Sequence, residues 1–173
     1  MPGSRKLRSA LSDAQAIQLP GVYVERLEEL NSEFGHSIVL LEEGRTQIRR
    51  FNCFAYALGV WDNPAYQEMV SAHAEDQLAL INSALVSKWI AKRFLEEIKP
   101  GDARADDIVA YFYRGQLVHF ARSGAAGVLR SKWGANEVHA HGIWEVPANY
   151  GNKVRYFRRP DTKALLRELA SLE

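Results

Sequence analysis

Apolar positions recur along this chain in two rhythms, a helical one through its first half and a strand-like one through its second. Val22, Val24, Leu27 and Leu30, with charged residues between them, predict a helix over residues 22–33. Residues 1–20 mix charge, serine and alanine and close at Pro20-Gly21, a turn signal, so they read as a flexible N-terminal arm with room for a short helix. Ser37-Ile38-Val39-Leu40-Leu41 is short and rich in branched side chains, which predicts a strand closed by Glu42-Glu43-Gly44. The alanine-rich stretch Cys53-Phe54-Ala55-Tyr56-Ala57-Leu58 reads as the first turns of a helix, with Gly59 near its end. Trp61-Asp62-Asn63-Pro64 breaks that helix. Residues 67–98 then contain neither Gly nor Pro, predicting a helical insert over about 65–100. Asn82 or Ser83 could cap a second helix there, with Leu85, Trp89, Ile90, Phe94 and Ile98 on one stripe; one continuous helix is the alternative.

After Pro100-Gly101 the period changes. Asp107-Ile108-Val109-Ala110-Tyr111-Phe112-Tyr113 predicts a strand, Arg114-Gly115 a tight turn, and Gln116-Leu117-Val118-His119-Phe120-Ala121-Arg122 its hairpin partner. Ser123-Gly124-Ala125-Ala126-Gly127 turns the chain again, into Val128-Leu129-Arg130-Ser131-Lys132-Trp133-Gly134. A last strand, Lys153-Val154-Arg155-Tyr156-Phe157-Arg158, precedes a terminal helix over residues 161–172. Helices first and an antiparallel meander last predict an α+β fold, with residues 21–173 forming one domain.

Composition narrows the function. The chain has 173 residues, 47% of them hydrophobic and 25% charged, enough for one substantial core. Its net charge is +1, and no long Lys/Arg block is present to supply phosphate contacts, which argues against a nucleic-acid partner. A single cysteine cannot form an internal disulfide. Met1-Pro2-Gly3-Ser4-Arg5-Lys6 leads into no apolar run, and no segment approaches the length of a membrane span. The expectation is a cytoplasmic protein, or one exported by a signal-independent route, with no membrane partner.

That single cysteine, Cys53, lies in Arg49-Arg50-Phe51-Asn52-Cys53-Phe54, at the start of the predicted helix. Lone cysteines most often serve as small buried hydrophobes. A thiol at a helix N-terminus is different, because the positive end of the macrodipole favours the nucleophilic thiolate. His119 follows on a strand, and a cysteine with a histidine is the minimum equipment for thiol catalysis. Packing the helix N-terminus on the sheet would bring sulfur and imidazole together as an ion pair.

A working histidine needs an orienting group on its second ring nitrogen. If the hairpin into residues 128–133 keeps even register, Ser131 or Trp133 shares a face with His119, and Ser131 is the first choice. Glu137, His139 and His141 could loop back to the same place. For the oxyanion of acyl transfer, the backbone N–H of Cys53 is a donor, and Gln47 or Asn52 could add a side-chain donor.

These residues carry a resemblance. An Asn52-Cys53 pair opening a helix, an Asp106-Asp107-Ile108-Val109-Ala110-Tyr111 strand and then a strand led by His119 resemble the order of papain-like cysteine peptidases. The NlpC/P60-like branch is the most similar, over residues 52–59, 106–112, 119–123 and 128–134. Ser131-Lys132-Trp133-Gly134 and Val146-Pro147-Ala148-Asn149-Tyr150-Gly151 are also similar to bacterial domains of this general type. The resemblance implies a papain-like fold in which the cysteine helix packs on an antiparallel sheet. It implies Cys53 as nucleophile, His119 as general base and Ser131 as the third member, where the family more often has His, Asp, Glu or Asn. The expected activity is a thiol hydrolase, peptidase or amidase, acting on a peptide or protein amide through a Cys53 thioester. The alternatives are a deamidase or acyltransferase acting as an effector or toxin, and an inert binding or immunity module. A cognate inhibitor or immunity protein is the expected partner, and no cofactor is implied.

His139-Ala140-His141 could make a metal pair only with a third ligand such as Cys53, and the chain has no Cys-x-x-Cys or His-Glu-x-x-His spacing. Trp61, Trp89, Trp133 and Trp144 read as core and cleft lining, while His36 and His73 read as surface or capping residues.

Overall fold

The computed structural model describes residues 4–43, 45, 51–72 and 80–171. Alternation of side chains along the central strands decides the architecture. In β3 (Ile108–Tyr113), Ile108, Ala110 and Phe112 face one side of the sheet, while Val109 and Tyr111 face the other. Both sets are buried, so the sheet needs cover on both sides, and helices supply it. The result is an α+β protein, as the pattern predicts.

Seven strands form one antiparallel sheet among the described residues, in the order β1-β6-β5-β4-β3-β7-β2. They are β1 (Val39–Leu41), β2 (Glu97–Ile98), β3, β4 (Gln116–Ser123), β5 (Leu129–Lys132), β6 (Val138–His141) and β7 (Lys153–Phe157). The β3–β4 hairpin turns at Arg114 and Gly115, both at positive φ (49° and 83°), the pair of left-handed residues a two-residue hairpin needs. β1 and β2 end the sheet, and β6 is a strand the periodicity does not predict.

One face is covered by α3 (Cys53–Leu58), α5 (Ser83–Ala91) and α6 (Thr162–Ala170), which pack Phe54, Trp89 and Leu165 against Ala110, Phe120 and Phe157. The other is covered by α1 (Arg5–Gln15) and α2 (Pro20–Phe34). The residues expected to be a flexible arm are therefore largely a helix. Leu7, Leu11 and Ala14 fall on one stripe and are buried against the sheet, and Ser4 Oγ caps the Leu7 N–H at 3.1 Å. Each buried leucine there contributes about 1.5–3 kcal/mol, more than the short charged runs cost at the surface. Pro20 does not end a segment but sits at the first turn of α2, where its missing N–H costs nothing.

The helical insert is also shorter than expected. α4 (Pro64–Ala72) and α5 are separate, and Asn82 caps α5 by accepting the Leu85 N–H at 2.9 Å. α5 ends at Ala91, and Ile98 is not on its stripe but on β2. No helix of the described residues is long and apolar enough to cross a membrane.

Candidate active site

Asn52 sets the start of α3. Its Oδ1 accepts the N–H groups of Phe54 and Ala55, both at 3.0 Å, and its Nδ2 donates to Ile81 O at 2.8 Å. The helix stops six residues later because Gly59 adopts the left-handed conformation, at φ 72°. These caps fix Cys53 as the first helical residue. The Asn52 amide thus serves as a helix cap and as a tether to Ile81. Gln47, the other expected donor, lies outside the described residues.

The sheet opens where Cys53 meets it. The β4–β5 ladder consists of Arg122↔Arg130 and Ser123↔Leu129, and from there back along β4 the strands no longer pair. α3 lies against both strands at this opening. A β4 amide that would have bonded β5 is thereby released, and the Phe120 N–H reaches the Cys53 sulfur instead, with the Cys53 and Phe54 N–H groups beside it. The thiol is half-buried. Burial pushes it up to about 11, opposed by the Phe120 N–H and by the charge of Lys132.

His119 directly precedes Phe120. It is 1% exposed, and its Nε2 is buried with no hydrogen-bond partner. Burial holds its pKa well below the ordinary imidazole value, reinforced by His141 and His139. The phenol of Tyr150 stacks flat on its ring, with centroids 3.9 Å apart and planes inclined by 11°, and Tyr111 packs at 5.7 Å. Cys53 packs with Phe120 on the α3 side of β4, whereas His119, the preceding residue, faces the other side beside Tyr111 and Tyr150, and no hydrogen bond joins sulfur and imidazole. Burial of both groups disfavours the charged forms that the expected thiolate–imidazolium pair requires.

Ser131 does not orient His119. Its hydroxyl accepts the Trp133 indole N–H at 2.9 Å and bonds His141 Nε2 at 2.7 Å. Because His141 Nδ1 donates to Gly142 O at 2.8 Å, its Nε2 must accept, so the Ser131 O–H is the donor. The register is even, Arg122 opposite Arg130, and leaves Ser131 on the face of His119, but the β4–β5 ladder ends there and Ser131 pairs with His139 on β6 and bonds His141 instead. His139 and His141 face the same side as His119 but serve other bonds. His139 Nε2 lies 2.6 Å from the Tyr23 hydroxyl, and its ring stacks on Trp133 with centroids 4.1 Å apart. Among the described residues no three His, Cys, Asp or Glu side chains converge as a metal ion would require.

Two residues near the thiol escape the sequence reading. Lys132 is fully buried, donates from Nζ to Gly134 O and Asn136 O, and lies 5.4 Å over the Phe51 ring. Burial draws it down to about 8, and the proximity of Cys53 and Glu137 opposes that fall. Tyr150 lies close enough to feel the charge of Cys53. Both belong to the short motifs that carry the resemblance, 131–134 and 146–151, so the signal was present without a role attached.

Fold and site together define an α+β protein with a cysteine and a histidine at the opening of a seven-stranded antiparallel sheet. The chain belongs to the family described as domain of unknown function (DUF7689), whose model matches residues 43–158. That span holds Cys53, His119, Lys132 and Tyr150, and leaves out α1, α2 and α6. No curated protein matches the chain, and no solved structure does.

Proposed function

We propose that this chain is a thiol hydrolase, a peptidase or amidase of the papain-like, NlpC/P60-like kind, with Cys53 as nucleophile and His119 as general base. One observation carries the reading. The sulfur lies at the point where the sheet opens and receives the released Phe120 N–H, and the residue before Phe120 on that strand is His119, whose buried Nε2 has no hydrogen-bond partner. The order of a cysteine helix before an antiparallel sheet that bears the histidine supports the fold assignment.

The resting state is a neutral thiol and a neutral imidazole. On substrate engagement His119 takes the thiol proton as the sulfur attacks the amide carbon, and the carbonyl oxygen becomes an oxyanion. The Cys53 N–H and the nearby Lys132 charge favour that anion. His119 returns its proton to the departing amine, leaving a thioester. Water, deprotonated by His119, then attacks the thioester, releasing the acid and restoring the thiol. A deamidase would share every step up to the amine that leaves.

The test is incubation with a panel of amide-bearing peptides and proteins, followed by mass spectrometry. Chain cleavage lost in both Cys53→Ala and His119→Ala is the expected result. A gain of about one mass unit would assign deamidation, since both chemistries pass through the thioester. A second reading, an inert binding or immunity module, is favoured by the 1% exposure of His119 and the raised thiol. It predicts that Cys53→Ala retains the full biological effect.

A further inference from the structure

The buried Nε2 of His119 has no hydrogen-bond partner, and what packs flat on the ring is the Tyr150 phenol. We propose that Tyr150 is the positioning residue for His119, its stacked phenol fixing the imidazole plane, and that α1 holds the phenol there through Gln15. The proposal rests on the reading of His119 as a general base.

The geometry around Tyr150 argues for a rigid mount. The residue closes a short 3-10 turn, Ala148–Tyr150, and the next residue, Gly151, has φ 90°. A Cβ at Gly151 would come within 2.0 Å of Phe112 O, so only glycine lets the turn lie this close to β3. From the other side α1 grips the same turn. Arg8 donates from Nε to Val146 O at 3.1 Å, and from Nη2 to Pro147 O and Gly151 O. Ser12 Oγ accepts the Ala148 N–H at 2.8 Å and the Asn149 N–H at 3.4 Å.

The phenol is then fixed at its far end. Gln15 Nε2 donates to Tyr150 Oη at 2.6 Å, and the Gly134 N–H also reaches that oxygen. The Gln15 main-chain oxygen accepts Asn136 Nδ2 at 3.1 Å, which fixes the end of α1 itself. A ring anchored at both ends, 3.9 Å from the imidazole, leaves His119 one plane. Tyr111 bounds the imidazole at a tilt, and the titratable groups facing it are His139, His141, Tyr111 and Tyr150. α1 lies outside residues 43–158, the span that the family model matches.

Two readouts on the full chain test this. The first is nuclear magnetic resonance of the His119 ring, which reports its tautomer and titration. The second is the rate of iodoacetamide alkylation of Cys53, the chain's only thiol. Tyr150→Phe keeps the stack but removes the oxygen that Gln15 holds, so its alkylation rate should fall by about twofold, as in Gln15→Ala, with the His119 titration moved less than in Tyr150→Leu. Tyr150→Leu frees the ring and admits water. Its His119 titration should rise by at least about one unit, and alkylation at pH 7.5 should slow by about fivefold or more. Should Tyr150→Leu fail to fold, Gln15→Ala, which cuts only the tether, decides by the same readouts with a fall of about twofold expected.

His119 signals and titration unchanged in the deciding variant would overturn the proposal. If the His119 signals move while alkylation does not, the positioning role stands and the hydrolase reading fails.

Discussion

The two faces of the sheet are built on different principles. Toward α3, α5 and α6 the strands present Ala110, Phe112, Leu117, Phe120 and Phe157, an apolar layer whose stability comes from shape and area. Toward α1 and α2 the sheet and the turn after β5 present His119, His139, His141, Ser131, Tyr111 and Trp133, closed over by Tyr23 and Tyr150. That second layer is equally dry but is made of rings and hydroxyls that depend on hydrogen bonds and protonation state. Cys53 enters from the apolar side, at the gap where β4 and β5 part, and His119 stands beside that gap on strand β4. An apolar core tolerates pH and fails on truncation. An imidazole layer fails when it is asked to carry charge.

The largest contrast comes from truncating the apolar face. Phe120→Ala removes a ring that meets Phe54 at 5.0 Å, and should cost about 3–5 kcal/mol in urea unfolding with little change in pH dependence. Acid should act on the other face. Folding depresses the pKa of His141 from 6.5 to about 4, so the unfolded chain binds more protons between those values. Stability therefore falls as pH drops through that window, by about 3 kcal/mol from this group alone. His119 and His139, lowered for the same reason, add to the loss. Unfolding midpoints recorded between pH 7 and 4 check this; a flat profile would mean that the histidines are not held neutral.

Smaller effects separate structural groups from chemical ones. Ser131→Ala strips the Trp133 indole and His141 Nε2 of their shared partner and should cost about 1–3 kcal/mol. Because that hydroxyl does not touch His119, the His119 ring titration should stay where it was. Asn52→Ala removes the α3 cap and should cost about 1 kcal/mol by the same unfolding measurement.

The α+β class, the β3–β4 hairpin, the Asn82 cap and the terminal helix start at Asp161 were legible because local chemistry decides them. Asn52 before Cys53 was legible as a helix opening for the same reason. The partner of His119 was not. Register counting assumed a continuous β4–β5 ladder, and the ladder stops after Ser123 and Arg122 to admit α3, so the two-residue period carried Ser131 to His141 instead. Tyr150 was hidden for a different reason. Its closeness to His119 depends on a glycine packed on β3 and on a helix from the other end of the chain, contacts no local pattern encodes. The α1 helix itself was masked by charge, since a three-residue apolar stripe is a weak periodic signal that only tertiary burial makes decisive.

The most direct test of the Cys53–His119 assignment is the alkylation rate of Cys53 by iodoacetamide across pH 6 to 11, in the unsubstituted protein and in His119→Ala. With a thiol raised to about 11, direct ionisation contributes little near neutrality, so labelling there must draw on a base. The account predicts that the unsubstituted protein labels at least about tenfold faster near pH 7.5, and that the two curves converge as the thiol ionises by itself. Two curves that coincide at every pH would contradict it.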